Sequence, residues 1–438
     1  MGLLSFMILV RILPIAEFGK WVLFTTMASL IDMLRFGLSK EALVRYLSAT
    51  NEQDKRYFLG SSWLISLVML IVIFIILMVL IILLPESLSR SGYDLFCYWY
   101  PLLALVNLPW NYAWSIFQAE INFGKIFWIR FFNLCSFLLI IFASYISFRI
   151  NIQLVIYIYI LTNLFTSLFC IWKGWSGIQH LKYISKKRIK ELLNYGRFSM
   201  LTRIGSSMLK GADSLIISFS AFCGPAGVAI YAIPLKYVEL IEIPLLSFAT
   251  TAFPKLSKAS LENKIEDFKR IFYTYTGSIA YLFMLIAIIS FFFRNQFILF
   301  LGGNNYRDIL PEIAIIMLPF ILFGMILPLD RFTGVALDSL NKPEKNFYKV
   351  ISMTTTNIIG DIMAVFGLHY LFPEWRVTTI LAFVSLASVI FAIVGLLIGY
   401  KFLRKEVDIS FRKVFVNGMD LYQEQYIKLK ERYLKSNK

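Results

Sequence analysis

Apolar runs of about twenty residues recur along the whole chain, and nothing else in the sequence constrains the fold as strongly. Each is long enough to cross roughly 30 Å of hydrocarbon as a helix. Lipid offers no partner for a backbone N–H or C=O, so a spanning segment must close its own hydrogen bonds, which a helix does. The runs lie at 2–13, 17–38, 58–84, 93–118, 126–146, 153–172, 198–219, 228–253, 273–293, 309–329, 350–370 and 377–400. The sequence therefore predicts an all-α polytopic membrane protein of about twelve transmembrane helices. With 58% hydrophobic and only 16% charged residues, the chain cannot clothe a soluble surface. The connections, at most about twenty-five residues, leave no room for a separate soluble core. The first run rises only about 18 Å. It reads as short or as the end of a longer helix, and it lacks the basic leader and small-residue cleavage site of a signal peptide.

The net charge of +16 could suggest nucleic acid, but its placement excludes that reading. Loops 39–57, 119–125, 173–197, 254–272 and 330–349, with everything from 401, hold 31 of the 43 lysines and arginines. The opposite loops hold Lys20, Arg90, Arg149, Arg294, Arg307 and Arg376. Basic loops stay on the cytoplasmic side, so both termini are expected there, and the basic segment 401–438 is expected as a cytoplasmic tail near lipid headgroups. Cys97, Cys135, Cys170 and Cys223 show no CxxC spacing and read as packing residues.

The two halves share a pattern. FGKW (18–21) opens a helix that ends in LVRYLSA (43–49), and VAIY (228–231) opens one that ends in FPKLSKA (253–259) at nearly the same distance. DKR (54–56) and EDFKR (266–270) follow in turn, each before a long apolar run. Six spans per half, entering from the same side, imply a parallel repeat. The expected organisation is a six-helix bundle over 1–195, a second over 196–400, and the tail over 401–438.

Ionisable groups inside hydrocarbon cost at least about 2.5–3.5 kcal/mol each, so they face water or a partner. In the span 198–219, Ser199, Arg203, Ser206, Lys210 and Asp213 recur at helical steps. They form one polar stripe suited to a cavity, unless Lys210 and Asp213 pair with each other. The span 228–253 carries Lys236, Glu239 and Glu242, with Pro234 and Pro244 to bend it; a cavity wall and a Lys236–Glu239 packing pair stay equally open. Asp32 and Arg35 stand below Thr25 and Ser29, again as an ion pair or as ligand contacts. Two further rows, Asn107, Asn111, Ser115, Gln118 and Thr354, Asn357, Asp361, follow single helix faces. Such rows also serve as packing glue, although a carboxylate at mid-span, as at Asp361, needs a cation or a proton. Arg130 and Arg11 read as snorkelling side chains at opposite edges. The candidate cavity set is thus Arg35, Arg203, Lys210, Asp213, Lys236, Glu239, Asn107, Asn111, Asn357 and Asp361. No catalytic or metal-binding set emerges. His180 and His369 lack ligand-type neighbours, Gly302 and Gly303 read as a turn, and no phosphate-binding glycine loop supports ATP-driven transport.

FGKWVLF (18–24) with RFGL (35–38), LLNYGRFSML (192–201), and above all the block from ADSLIISF through CGPAGVAIY to FPKLSKA (212–259) resemble the polysaccharide-repeat-unit flippases. These are the O-antigen, Wzx-type members of the multidrug/oligosaccharidyl-lipid/polysaccharide (MOP) exporter superfamily. The resemblance implies two six-helix bundles around a central cationic cavity that opens alternately to each side. It implies a lipid-linked oligosaccharide substrate carried on undecaprenyl diphosphate, a bacterial inner-membrane location, membrane lipids and polysaccharide-assembly proteins as partners, no cofactor, and a coupling ion (H+ or Na+) left open. Members of that family begin with a longer first helix than this sequence has. On this reading Arg203, Lys210, Lys236 and Arg35 meet the diphosphate, since arginine and lysine give phosphate charge-assisted hydrogen bonds. The rival within the superfamily is a proton- or sodium-coupled small-molecule antiporter, which needs carboxylates such as Asp213, Glu239 and Asp361 to dominate. A glycan polymerase or ligase would need a larger outer loop than the connection near 294–308 provides.

Overall fold

The computed structural model describes residues 2–37, 39–49, 51–147 and 150–419, with side chains at all of these except 41, 48–49, 52, 146–147 and 195–210. Among the described residues every regular element is helical: α1 Leu3–Ile12, α2 Ile15–Gly37, α3 Lys40–Ala49, α4 Glu52–Leu83, α5 Pro85–Ser91, α6 Asp94–Val106, α7 Leu108–Ala119, α8 Phe123–Ser147, α9 Ile152–Trp172 and α10 Lys186–Phe219. There follow α11 Gly224–Leu261, α12 Ile265–Gly302, α13 Leu310–Ser339, α14 Pro343–Ile362, the single turn α15 His369–Leu371, α16 Val377–Val407 and α17 Phe411–Asn417. The chain is an all-α polytopic membrane protein with about twelve spanning helices. Those built on α4, α8, α9, α12, α13, α14 and α16 are long and apolar enough to span by composition alone. The charge-bearing α2, α10 and α11 are less apolar, as helices with a wet face must be.

Packing divides the chain into Met1–Ala229 and Ile230–Lys438. In the first unit, α10 lies along α2, and Gly211 of α10 sits against Thr26 and Leu30 of α2. The boundary at 195/196 is a matter of sequence symmetry; packing breaks the chain later because α10 stays with α2. Gly19, the glycine of FGKW, shows why that motif matters. A Cβ there would stand 1.7 Å from the carbonyl oxygen of Pro225, so only glycine lets α2 approach the start of α11. Tyr112 of α7 anchors the basic end of this unit. Its hydroxyl meets Ser62 at 3.0 Å and Ser66 at 2.7 Å, and its ring stacks on Trp63.

In the second unit, α13, α14 and α16 pack on one another and α12 on α13. Tyr231 and Tyr237 of α11 meet Phe320 of α13 and Phe297 of α12. At the centre, the Lys349 ammonium of α14 contacts the Asp330 carboxylate of α13 at 2.7 Å, with both side chains almost wholly buried. That contact is an ion pair off the hydrogen-bonding direction, since Asp330 Oδ1 accepts no aligned bond. The ammonium donates instead to the Asp330 carbonyl at 2.8 Å and to Thr333 Oγ1 at 3.2 Å. Gly395 and Gly399 of α16 close over the pair, where any Cβ would strike Asp330 or Thr333. Hydropathy alone places Asp330 and Lys349 in a loop at 330–349. In fact α13 runs to Ser339 and α14 opens at Pro343, because helices continue past the hydrocarbon wherever the chain stays helix-forming.

The segment from 401 is also more structured than a tail. α16 continues to Val407, and α17 then docks on α12. Residues 420–438 lie outside the described residues.

Candidate functional site

A cavity of about 740 Å³ opens within the first unit, walled by α2, α6, α7, α8 and α9. Its shape starts with a broken helix. Pro109 has no N–H to give and its ring crowds the carbonyl four residues back, which disrupts the helical run 93–118 at this point. It divides at Asn107 into α6 and α7. The break is sealed locally: Asn111 Nδ2 donates to the Asn107 carbonyl at 2.9 Å, and Trp110 Nε1 donates to Asn107 Oδ1 at 3.1 Å. Both asparagines, with Trp110, thereby line the cavity.

Across from them, α2 supplies Trp21, Thr25, Ser29 and Asp32 at helical steps. Asp32 Oδ1 accepts from Arg35 at 2.7 Å and from the Tyr100 hydroxyl at 2.8 Å. Arg35 itself is fully buried, donating also to the Ala104 carbonyl at 2.7 Å and lying over the Phe36 ring. Arg35 therefore reaches the cavity only through Asp32, whose charge it balances.

α8 contributes Arg130, Asn133 and Phe137. Arg130, expected to snorkel, is exposed and borders the cavity. Its guanidinium lies 4.4 Å from the Trp114 ring centroid and 6.0 Å from that of Trp110, held by cation–π attraction. Among the described residues no carboxylate pairs with it. Asn133 donates to Thr166 Oγ1 at 3.0 Å and to Asn163 Oδ1 at 3.3 Å on α9. Lys40, 5.4 Å from the Trp114 ring centroid, completes the charged wall. Asp32 is balanced by Arg35, and Arg130 adds a positive charge to the wall. Flat aromatic faces and amides that both donate and accept surround it.

The remaining candidates lie elsewhere. The side chains of Arg203 and Lys210 are outside the described residues. Asp213 is buried on α10. In the second unit Lys236 is buried and donates to an exposed Glu239 at 2.5 Å. Asn357 and Asp361 are fully buried in α14, with Asn357 Nδ2 donating to Asp361 Oδ2 at 3.2 Å. Immediately beyond Asp361 the helix widens into a π turn, Met363–Leu368. Of the candidate set, then, Asn107 and Asn111 share the cavity. Arg130, Lys40 and Asn133 were missed, and only the helical spacing of Arg130 from the cavity-lining Asn133 and Phe137 could have flagged it.

The sequence profile of a polysaccharide biosynthesis protein family matches residues 1–260, more than half of the chain. The chain belongs to that family. No curated protein matches it, but solved structures do. An inward-facing multidrug resistance MATE transporter of the MOP superfamily superposes with a TM-score of 0.74 at 17% identity, covering 92% of this chain and 94% of its own. The lipid II flippase MurJ, in an inward closed conformation, gives 0.68 at 16% identity over 97% and 89%. A MOP transporter from Pyrococcus furiosus, described as having a binding pocket of reversed polarity, gives 0.52 at 18% over 90% and 89%. At these identities the likeness shows the fold: this polysaccharide biosynthesis family member has the MATE- and MurJ-like helical architecture of transporters and flippases.

Proposed function

We propose that this family member is not an enzyme but a flippase, moving an undecaprenyl-diphosphate-linked oligosaccharide from the cytoplasmic to the periplasmic face of the bacterial inner membrane by alternating access. The observation that carries the reading is the first-unit cavity. It sets the Trp110 ring, on which a sugar ring can stack, beside Asn107, Asn111 and Asn133, amides that match sugar hydroxyls. Arg130 adds a positive charge that no carboxylate among the described residues pairs with, which suits an anionic head group.

On this reading Arg203 and Lys210 meet the diphosphate. Asp213, Glu239, Asn357 and Asp361 serve the conformational cycle or its coupling to H+ or Na+. The polyprenyl tail stays in lipid. With both termini cytoplasmic, an interior-negative potential favours outward movement of an anion by about 2.3 kcal/mol per charge per 100 mV. No cofactor takes part, and polysaccharide-assembly proteins take the product.

The test is reconstitution. Purified chain in liposomes carrying a polyprenyl-diphosphate oligosaccharide should bring the sugar to the opposite leaflet, read by a membrane-impermeant glycosidase or lectin. Protein-free liposomes set the background, and a rate no higher than theirs would sink the proposal. A second reading, a cation-coupled antiporter, draws on Asp32, whose Oδ2 meets no protein donor among the described residues and borders the cavity. Proton release on adding an organic cation, without sugar movement, would establish it instead.

A further inference from the structure

The last spanning helix of the second unit ends in a built cationic platform. Lys401, Arg404 and Lys405 occupy one face of α16, at steps of three and four residues. With Tyr400 and Asp408 they line a shallow pocket of about 390 Å³. Arg412 and Lys413 follow at the start of α17, and all five cations are exposed. Nearby acids are already used or outnumbered. Glu406 bonds to Lys345, Glu266 to Lys269 at 2.9 Å, and among the described residues Asp408 is the one acid that borders the pocket.

The platform is held in place rather than trailing. Asp408 turns the chain in the left-handed region, at φ 45°. The Tyr400 hydroxyl then donates to the Ile409 carbonyl and accepts from the Phe411 N–H, each at 2.9 Å. Ser410 N–H donates to the Tyr273 hydroxyl at 2.8 Å. Farther along, Ser278 Oγ donates to the Gly418 carbonyl at 2.7 Å and the Tyr281 hydroxyl to the Phe415 carbonyl at 2.8 Å. Gly277 lets the two backbones touch, since a Cβ there would lie 2.0 Å from the Val414 carbonyl oxygen. On α17 and just after it, Phe411, Val416 and Met419 remain exposed. Fixed cations at the end of a spanning helix, next to exposed apolar side chains, match a phosphate headgroup joined to acyl chains.

We propose that this platform binds an anionic glycerophospholipid, with Lys401, Arg404 and Lys405 on the headgroup phosphate and Phe411, Val416 and Met419 against its acyl region. A basic segment that served only to orient the chain would need no hydroxyl staples and no pocket. This site is independent of the flipped substrate, since all its residues belong to the second unit and none lines the first-unit cavity.

The test uses the full chain in detergent, titrated with phosphatidylglycerol or phosphatidylcholine and read by native mass spectrometry. Phosphatidylglycerol should bind preferentially. Replacing Arg404→Ala and Lys405→Ala together should weaken that binding about thirtyfold, with an unchanged thermal unfolding midpoint. The charge-keeping pair Arg404→Lys with Lys405→Arg should restore it. Lys186→Ala with Lys187→Ala, an exposed basic pair elsewhere, should leave it intact. An equal loss at 186 and 187, unaltered binding in the alanine pair, or full displacement by inorganic phosphate would each overturn the proposal.

Discussion

Lys349 is the side chain whose removal should cost the fold most for the least change in shape. Its ammonium has three oxygen neighbours, at 2.7, 2.8 and 3.2 Å. After Lys349→Met, the Asp330 carbonyl keeps the Thr333 hydroxyl as a donor at 2.7 Å, so the carbonyl is not orphaned. The carboxylate is. Breaking a buried ion pair by removing one partner costs about 3–5 kcal/mol, mostly the burden of the charge left behind. Removing both charges, as Asp330→Leu with Lys349→Met, should lie within about 1 kcal/mol of the parent or above it, because the desolvation of both ions is then relieved. A double-mutant cycle should therefore give a coupling of at least about 2 kcal/mol. The assay is denaturant unfolding of the purified chain in detergent, followed by helical circular dichroism. A single-variant cost below about 1 kcal/mol, the size found for exposed pairs, would refute the reasoning.

Three further outcomes follow from the geometry. Gly19→Ala must push α2 away from Pro225 and should cost about 1–3 kcal/mol in the same unfolding assay; unchanged stability would contradict the close approach. Arg130→Ala should lower sugar translocation at least tenfold while the protein stays folded in the membrane, with Arg130→Lys partly restoring it; full activity in the alanine form would remove Arg130 from the site. Gly277→Val should lift α17 from α12 and speed tryptic cleavage at Arg412 and Lys413, and a cleavage rate equal to the parent's would argue against the docking.

Much of this architecture could be read from residue patterns, and the gaps have physical causes. Apolar runs found the spanning helices because lipid leaves a helix no alternative. They misjudged the ends: the run at 309–329 stops where hydropathy falls, but α13 continues to Ser339. Hydropathy by itself therefore assigns a buried pair to a loop. Helical spacing placed Asn107 and Asn111 on one face, and Pro109 was visible, yet the break it causes was not anticipated within a run that stays apolar. The i,i+3 spacings of Asp32 with Arg35 and of Lys236 with Glu239 left ion pair and ligand contact equally open, and coordinates were needed to show the pairs. The face that Arg130 takes was not legible, because distance from a helix end does not encode it. Its Trp114 platform comes from another helix, a contact that linear spacing does not encode.

The central claim, that this chain carries a lipid-linked sugar across the membrane, is tested most directly in the cell that makes it. Deleting the gene and quantifying lipid-linked oligosaccharide on each face of the inner membrane should show accumulation on the cytoplasmic face, reversed by the intact chain and not by an Arg130→Ala form. Oligosaccharide reaching the outer face at the normal rate without the protein would contradict the account.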